Sequence, residues 1–166
     1  SVASDYSAGT PGFDSLGNGY FRLGNKIIKK KIDNSYTSID FSKELSRVLN
    51  NEIFAEKKIK WDEKWDKSAM VDDRIVFDNK DRAYTLVTPY QSNLKFAVLL
   101  YSLDKCQTWH GIPLKGNSAA LEMRDGFNDL SGVPAVLSFG VDGTMGDKVS
   151  NNLWLHSFYF DANNAI

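Results

Sequence analysis

The eight residues Ser102-Leu103-Asp104-Lys105-Cys106-Gln107-Thr108-Trp109 constrain the fold of this chain more than any other stretch. They stand between two apolar runs, Phe96-Ala97-Val98-Leu99-Leu100-Tyr101 and Ile112-Pro113-Leu114, and that spacing predicts a hairpin turn joining two strands. A serine and an aspartate at the start of such a turn cap its backbone N–H groups. The Thr and Trp that follow re-enter a strand and bury a large ring. The stretch describes a unit of fold before it describes a chemistry.

Its spelling follows S-x-D-x-G-x-T-W, and in this it resembles the Asp-box, or BNR repeat, of sialidase-like β-propellers. That family spans glycoside hydrolases, polysaccharide lyases and non-enzymatic receptors. The close match is Ser102 to Trp109, and a looser blade-like pattern covers Asp72 to Ile112. Cys106 departs from the pattern, standing where the box has Gly. If that position needs a positive φ, a residue with a Cβ costs about 1 kcal/mol there. In the family the box lies at the blade periphery, away from the substrate mouth. The resemblance therefore implies structural roles for Ser102, Asp104, Thr108 and Trp109.

Composition excludes several classes. The chain has 166 residues, 42% hydrophobic and 25% charged, enough to bury one sizeable core, and no window approaches the apolar length of a membrane span. A net charge of −1 lacks the footprint of a nucleic-acid binder. The basic cluster Lys26, Lys29, Lys30 and Lys31 reads as a solvated strand face or edge protection. One cysteine forms no intrachain disulfide, which leaves the compartment open. The start Ser-Val-Ala-Ser-Asp fits either a mature form after signal removal or an excised piece. The resemblance implies a secreted or cell-surface location.

Four segments follow in order. Residues 1–18 read as an irregular lead-in. Residues 19–67 hold a β-hairpin, Tyr20-Phe21-Arg22-Leu23 and Lys26 to Ile32 about the turn Gly24-Asn25, then a helical insertion near 41–53. There Phe41, Leu45, Val48, Leu49 and Ile53 recur at helical spacing behind Asp40 or Ser42 as N-cap, before the Trp-bearing segment Lys57 to Lys67. Residues 68–114 form the Asp-box blade, with Asp72 to Phe77, Ala83 to Thr88, Phe96 to Tyr101 and Thr108 to Ile112 as its strands. Residues 115–166 form a partial next blade: an inserted loop from Lys115 to Gly132, the run Val133 to Phe139, a turn through Gly140, Gly143 and Gly146, and the run Asn152 to Phe160.

The expected fold is mainly β: antiparallel four-stranded blades of a partial β-propeller, two to three of them, in one domain that is incomplete on its own. A ring needs about four blades or more, so the expectation is a piece of a longer chain or a pairing with a second chain carrying the remaining blades. A non-propeller β fold that borrows one Asp-box hairpin is the alternative.

Candidates for chemistry are few. His156 lies on one strand with Trp154 and Phe158 and is either a packed core residue or part of a sugar-binding mouth; His110, next to the box Trp, reads as a surface or inter-blade residue. Propeller lyases that resemble this family use His or Tyr as the base and Arg or His to offset the uronate carboxylate, because the C5 proton leaves only when that charge is neutralised. This implies His156, Arg124, Tyr90 and Tyr159 as catalytic candidates. The sialidase branch binds a carboxylate through arginines, the first in an F/Y-R-I-P stretch. Phe21-Arg22-Leu23-Gly24 is a partial match with Leu-Gly in place of Ile-Pro, which makes Arg22, with Trp154, a substrate-binding candidate. Asp78-Asn79-Lys80-Asp81 and Asp142-Gly143 with Asp147 lack the spacing of a calcium loop, so no metal is expected and no cofactor. Cys106 has no triad partner in reach by sequence. The expected function is cleavage of an acidic polysaccharide by elimination or hydrolysis. A non-catalytic glycan- or protein-binding module with a display role is the rival.

Overall fold

A computed structural model describes residues 9–23, 26–53, 74–87, 90–91, 94–95, 98–114, 118–124, 133–140 and 152–157. The Gly24-Asn25 turn, the segment Lys57 to Lys67, Tyr159 and the loop bearing Asp142, Gly143, Gly146 and Asp147 lie outside the described residues. Among the described residues the fold is mainly β, with two four-stranded antiparallel sheets and one α-helix. No helix among the described residues is long and apolar enough to cross a membrane.

The first sheet is a meander of β1 (Gly12–Phe13), β2 (Gly19–Leu23), β3 (Lys26–Lys30) and β4 (Tyr36–Asp40). Two of these strands escaped the sequence reading. β1 is two residues long inside the stretch expected to be irregular, and β4, Tyr-Thr-Ser-Ile-Asp, lies mostly in water. Neither carries an apolar run, so hydrophobic periodicity does not mark them. Alternation shows in the middle of the sheet: Tyr20, Arg22 and Ile27 turn inward, while Phe21, Leu23 and Ile28 are half-buried on the other face.

β4 runs straight into helix α1 (Phe41–Val48), and Asp40 caps it by accepting from the Lys43 backbone N–H at 3.0 Å. Phe41, Leu45 and Val48 are buried, and a π-helical turn (Leu49–Ile53) continues the helix and buries Leu49. The two elements together cover the predicted span of 41–53.

The second sheet has strand order β10-β9-β6-β5, from β5 (Val76–Phe77), β6 (Ala83–Val87), β9 (Val98–Ser102) and β10 (His110–Pro113). Between β6 and β9 lies a separate short ladder, β7 (Tyr90–Gln91) with β8 (Leu94–Lys95). All five residues of β6 are buried, because both faces of this sheet are covered. One face meets the first sheet and the helix in a core of Tyr20, Ile27, Phe41, Leu45, Val87, Val98, Leu100 and Trp109. The opposite face gathers Tyr84, Leu86, Leu99 and Leu114.

A third, three-stranded sheet has the order β11 (Ser118–Arg124), β12 (Val133–Gly140) and β13 (Asn152–Ser157). Residues 118–124 are thus a strand within what the sequence reading treats as an inserted loop. Only Leu121-Glu122-Met123 alternates there, too short a run to mark a strand.

Candidate functional site

The turn between β9 and β10 is built as its sequence implies. The Ser102 hydroxyl donates to Asp104 Oδ1 at 2.8 Å and accepts from the Cys106 N–H at 2.9 Å. Asp104 Oδ1 accepts from the Thr108 N–H at 2.8 Å, and its other oxygen takes the Thr108 hydroxyl. Trp109 is fully buried, donates its indole N–H to the Cys106 carbonyl at 3.1 Å and meets Phe41 edge-on at 5.8 Å between ring centroids. The turn needs two left-handed residues, Lys105 (φ 56°) and Cys106 (φ 71°). Both carry a Cβ, at a cost of about 1 kcal/mol each.

These bonds decide the chemistry available. Burial alone would raise the Asp104 pKa, but the bonds from Thr108 and Ser102 outweigh it and hold the carboxyl below its ordinary range. It therefore has no proton to donate near neutrality. Burial, reinforced by Asp104 and Asp14, pushes the Cys106 thiol far up, so it stays neutral and non-nucleophilic.

Two further turns repeat one design that sequence reading missed. Asp14, at the end of β1, accepts on Oδ1 from the N–H groups of Leu16 (3.0 Å) and Asn18 (2.9 Å). On Oδ2 it accepts from the Tyr20 hydroxyl at 3.0 Å. Asp78, at the end of β5, accepts on Oδ1 from Lys80 and Arg82 (both 2.9 Å) and on Oδ2 from the Tyr84 hydroxyl at 2.9 Å. A left-handed residue closes each turn, Gly17 at φ 87° and Asp81 at φ 60°. The signal was present in the sequence: Phe13-Asp14 with Tyr20, and Phe77-Asp78 with Tyr84, share one spelling and a constant offset. The oxygens of Asp78 are committed to this turn and to Arg82, and no metal-holding cluster occurs among the described residues.

The two corners and the hairpin converge. Ser15 donates its N–H and hydroxyl to the Asp81 carboxylate, and Lys105 Nζ lies 3.6 Å from Asp14 and 3.8 Å from Asp81. Lys105 thus bridges one acidic turn from each sheet. Bonds from Asn18 and Tyr20, helped by the charge of Lys105, overcome burial and keep the Asp14 pKa low.

Arg22 lies inside the molecule, only 2% exposed. It donates through Nη1 to Thr85 Oγ1 (3.1 Å) and to the Leu86 carbonyl (2.9 Å), and its guanidinium stands 5.1 Å from the centre of the Phe41 ring. The arginine that the sequence marks for a substrate carboxylate serves here to tie the two sheets. Its inward strand position is accepted because Nη1 makes both of these bonds to the neighbouring strand.

The remaining candidates are placed by strand register. His156 pairs with Val136, Trp154 with Ser138 and Arg124 with Val133, so His156 and Arg124 share a sheet but stand three rows apart. Three rows are roughly 10 Å along a strand. Tyr90 pairs with Lys95 in the two-stranded ladder, a different sheet. His110 stays at the surface, its Nδ1 3.2 Å from Glu52. No family model, no curated protein and no solved structure matches this chain.

Proposed function

We propose that the chain is part of a β-propeller that acts on glycans, cleaving an acidic polysaccharide by elimination or hydrolysis. The observation that supports this most is the Asp-box turn between the last two strands of a four-stranded antiparallel sheet, with its serine, aspartate, threonine and tryptophan in the roles the motif assigns. A second sheet of the same strand order packs against it with the same Asp–Tyr corner, as expected of neighbouring blades. On this reading the remaining blades lie on the same precursor or on a second chain, and His156 is the candidate base.

The test is incubation with polyuronates and sialylated glycans, following unsaturated product by absorbance and released sugar by chromatography. Turnover that is lost in His156→Ala is the expected result. Unchanged turnover in that variant removes His156 from the mechanism.

The place of Arg22 favours a second reading, a non-catalytic glycan- or protein-binding module. The substrate-binding candidate whose side chain is described is buried between sheets. This reading expects saturable binding without turnover, which calorimetry on the same glycans separates from the first.

A further inference from the structure

Among the described residues the outer edge of the second sheet is β10, which pairs with β9 on one side only. A bare strand edge offers its outward N–H and C=O groups to any extended chain. Here side chains of the helical arm take three of them, two at Trp109 just before β10 and one at Gly111 within it. The Trp109 N–H donates to Glu44 Oε1 at 2.9 Å, and the Trp109 carbonyl accepts from Arg47 Nη2 at 2.8 Å. Two residues on, the Gly111 N–H donates to Glu52 Oε2 at 2.9 Å. The next position in that alternation is Pro113, which has no N–H to offer.

Three features of the arm fit this use. Glu44 and Glu52 are eight residues apart, which in an uninterrupted α-helix leaves them roughly 80° apart around the axis. The π turn from Leu49 to Ile53 adds the equivalent of one residue and brings Glu52 back toward the line of Glu44. Gly111 then lets the arm come close, since a Cβ there would stand 3.0 Å from Val48 and 3.1 Å from Ile53. Finally, Arg47 and His110 flank Glu52 at 3.8 and 3.2 Å and hold its carboxylate at the strand.

We infer that the helical arm is an edge guard: its side chains stand in for a fifth strand and close β10 to strand addition by a second copy of this chain. An incoming strand would have to displace two hydrogen-bonded carboxylates and a guanidinium.

The test is the variant E44A/E52A in the whole chain, read by amide hydrogen exchange and sedimentation. Exchange at Trp109 and Gly111 should rise about tenfold or more on losing these acceptors, with concentration-dependent association beyond that of the wild type. E44Q/E52Q keeps a carbonyl oxygen at each site and should match the wild type in exchange at these amides and in association at neutral pH. Gly111→Ala, whose Cβ would stand 3.0 Å from Val48 and 3.1 Å from Ile53, should speed the same amides. Wild-type exchange at Trp109 and Gly111 in the alanine variant overturns the inference. So does fast exchange with no gain in association. Should the double variant fail to fold, Glu52→Ala alone, read at Gly111 and by sedimentation, decides by the same two criteria.

Discussion

Single residues in this chain work chiefly by capping. Asp104 accepts from Ser102 and Thr108, and replacing it with Ala leaves the Thr108 N–H without its acceptor and frees the Thr108 and Ser102 hydroxyls. Loss of such a cap should cost about 1–2 kcal/mol, measured by urea unfolding of Asp104→Ala. Glu44 carries a pH dependence. Its bond from Arg47 is the main cause holding its pKa below the ordinary 4.5, with the Trp109 N–H assisting against burial. A folded value below the unfolded one means stability that is present above the unfolded value and lost as pH falls through the folded one. Urea unfolding over roughly pH 3 to 6 should therefore show a shallower acid limb in Glu44→Gln than in the wild type. An identical slope would show that another carboxylate carries the acid sensitivity.

At the scale of elements, what the sequence made legible is what sterics and apolar period dictate. The hairpin from Ser102 to Trp109 and the helix behind Asp40 follow from turn chemistry and three- and four-residue spacing, and both are found. The first sheet was half seen, because β1 and β4 are held by neighbours and not by an apolar pattern of their own. The Asp–Tyr corner was missed for another reason: its two copies share only Phe, Asp and Tyr, and what they have in common is a hydrogen-bond geometry. The burial of Arg22 is not legible, because a sequence does not say which side of a strand another sheet will cover. The repeated corner carries its own prediction. Tyr20→Phe and Tyr84→Phe each delete one buried hydroxyl-to-carboxylate bond and should each cost roughly 1–2 kcal/mol. The double variant should be additive to within about 0.5 kcal/mol, as two separate copies of one device require. Chemical denaturation of the three variants checks it; a clear excess would show that the corners are coupled through Ser15, Asp81 and Lys105.

At the scale of the molecule, the second sheet carries packed side chains on both faces. The first sheet and the helix bury one of its faces, with Arg22 bonded across to β6 and Tyr20 tilted against Phe77 at 4.9 Å. The outward face of the first sheet is different: Phe13 and Tyr36 occupy the two ends of one cross-strand row and are each more than half exposed. Stability is therefore unevenly distributed, greatest where sheets, helix and hairpin meet around Trp109. Cys106 sits at that meeting point, fully buried and the sole cysteine of the chain. A thiol-reactive dye can reach it only when the centre of the protein comes apart. The native chain should label at a rate set by the opening equilibrium, rising with urea along the same slope as global unfolding. Labelling that is fast and indifferent to urea would mean that the hairpin opens by itself. The buried cysteine of the turn thus serves the experimenter as a built-in stopwatch for unfolding.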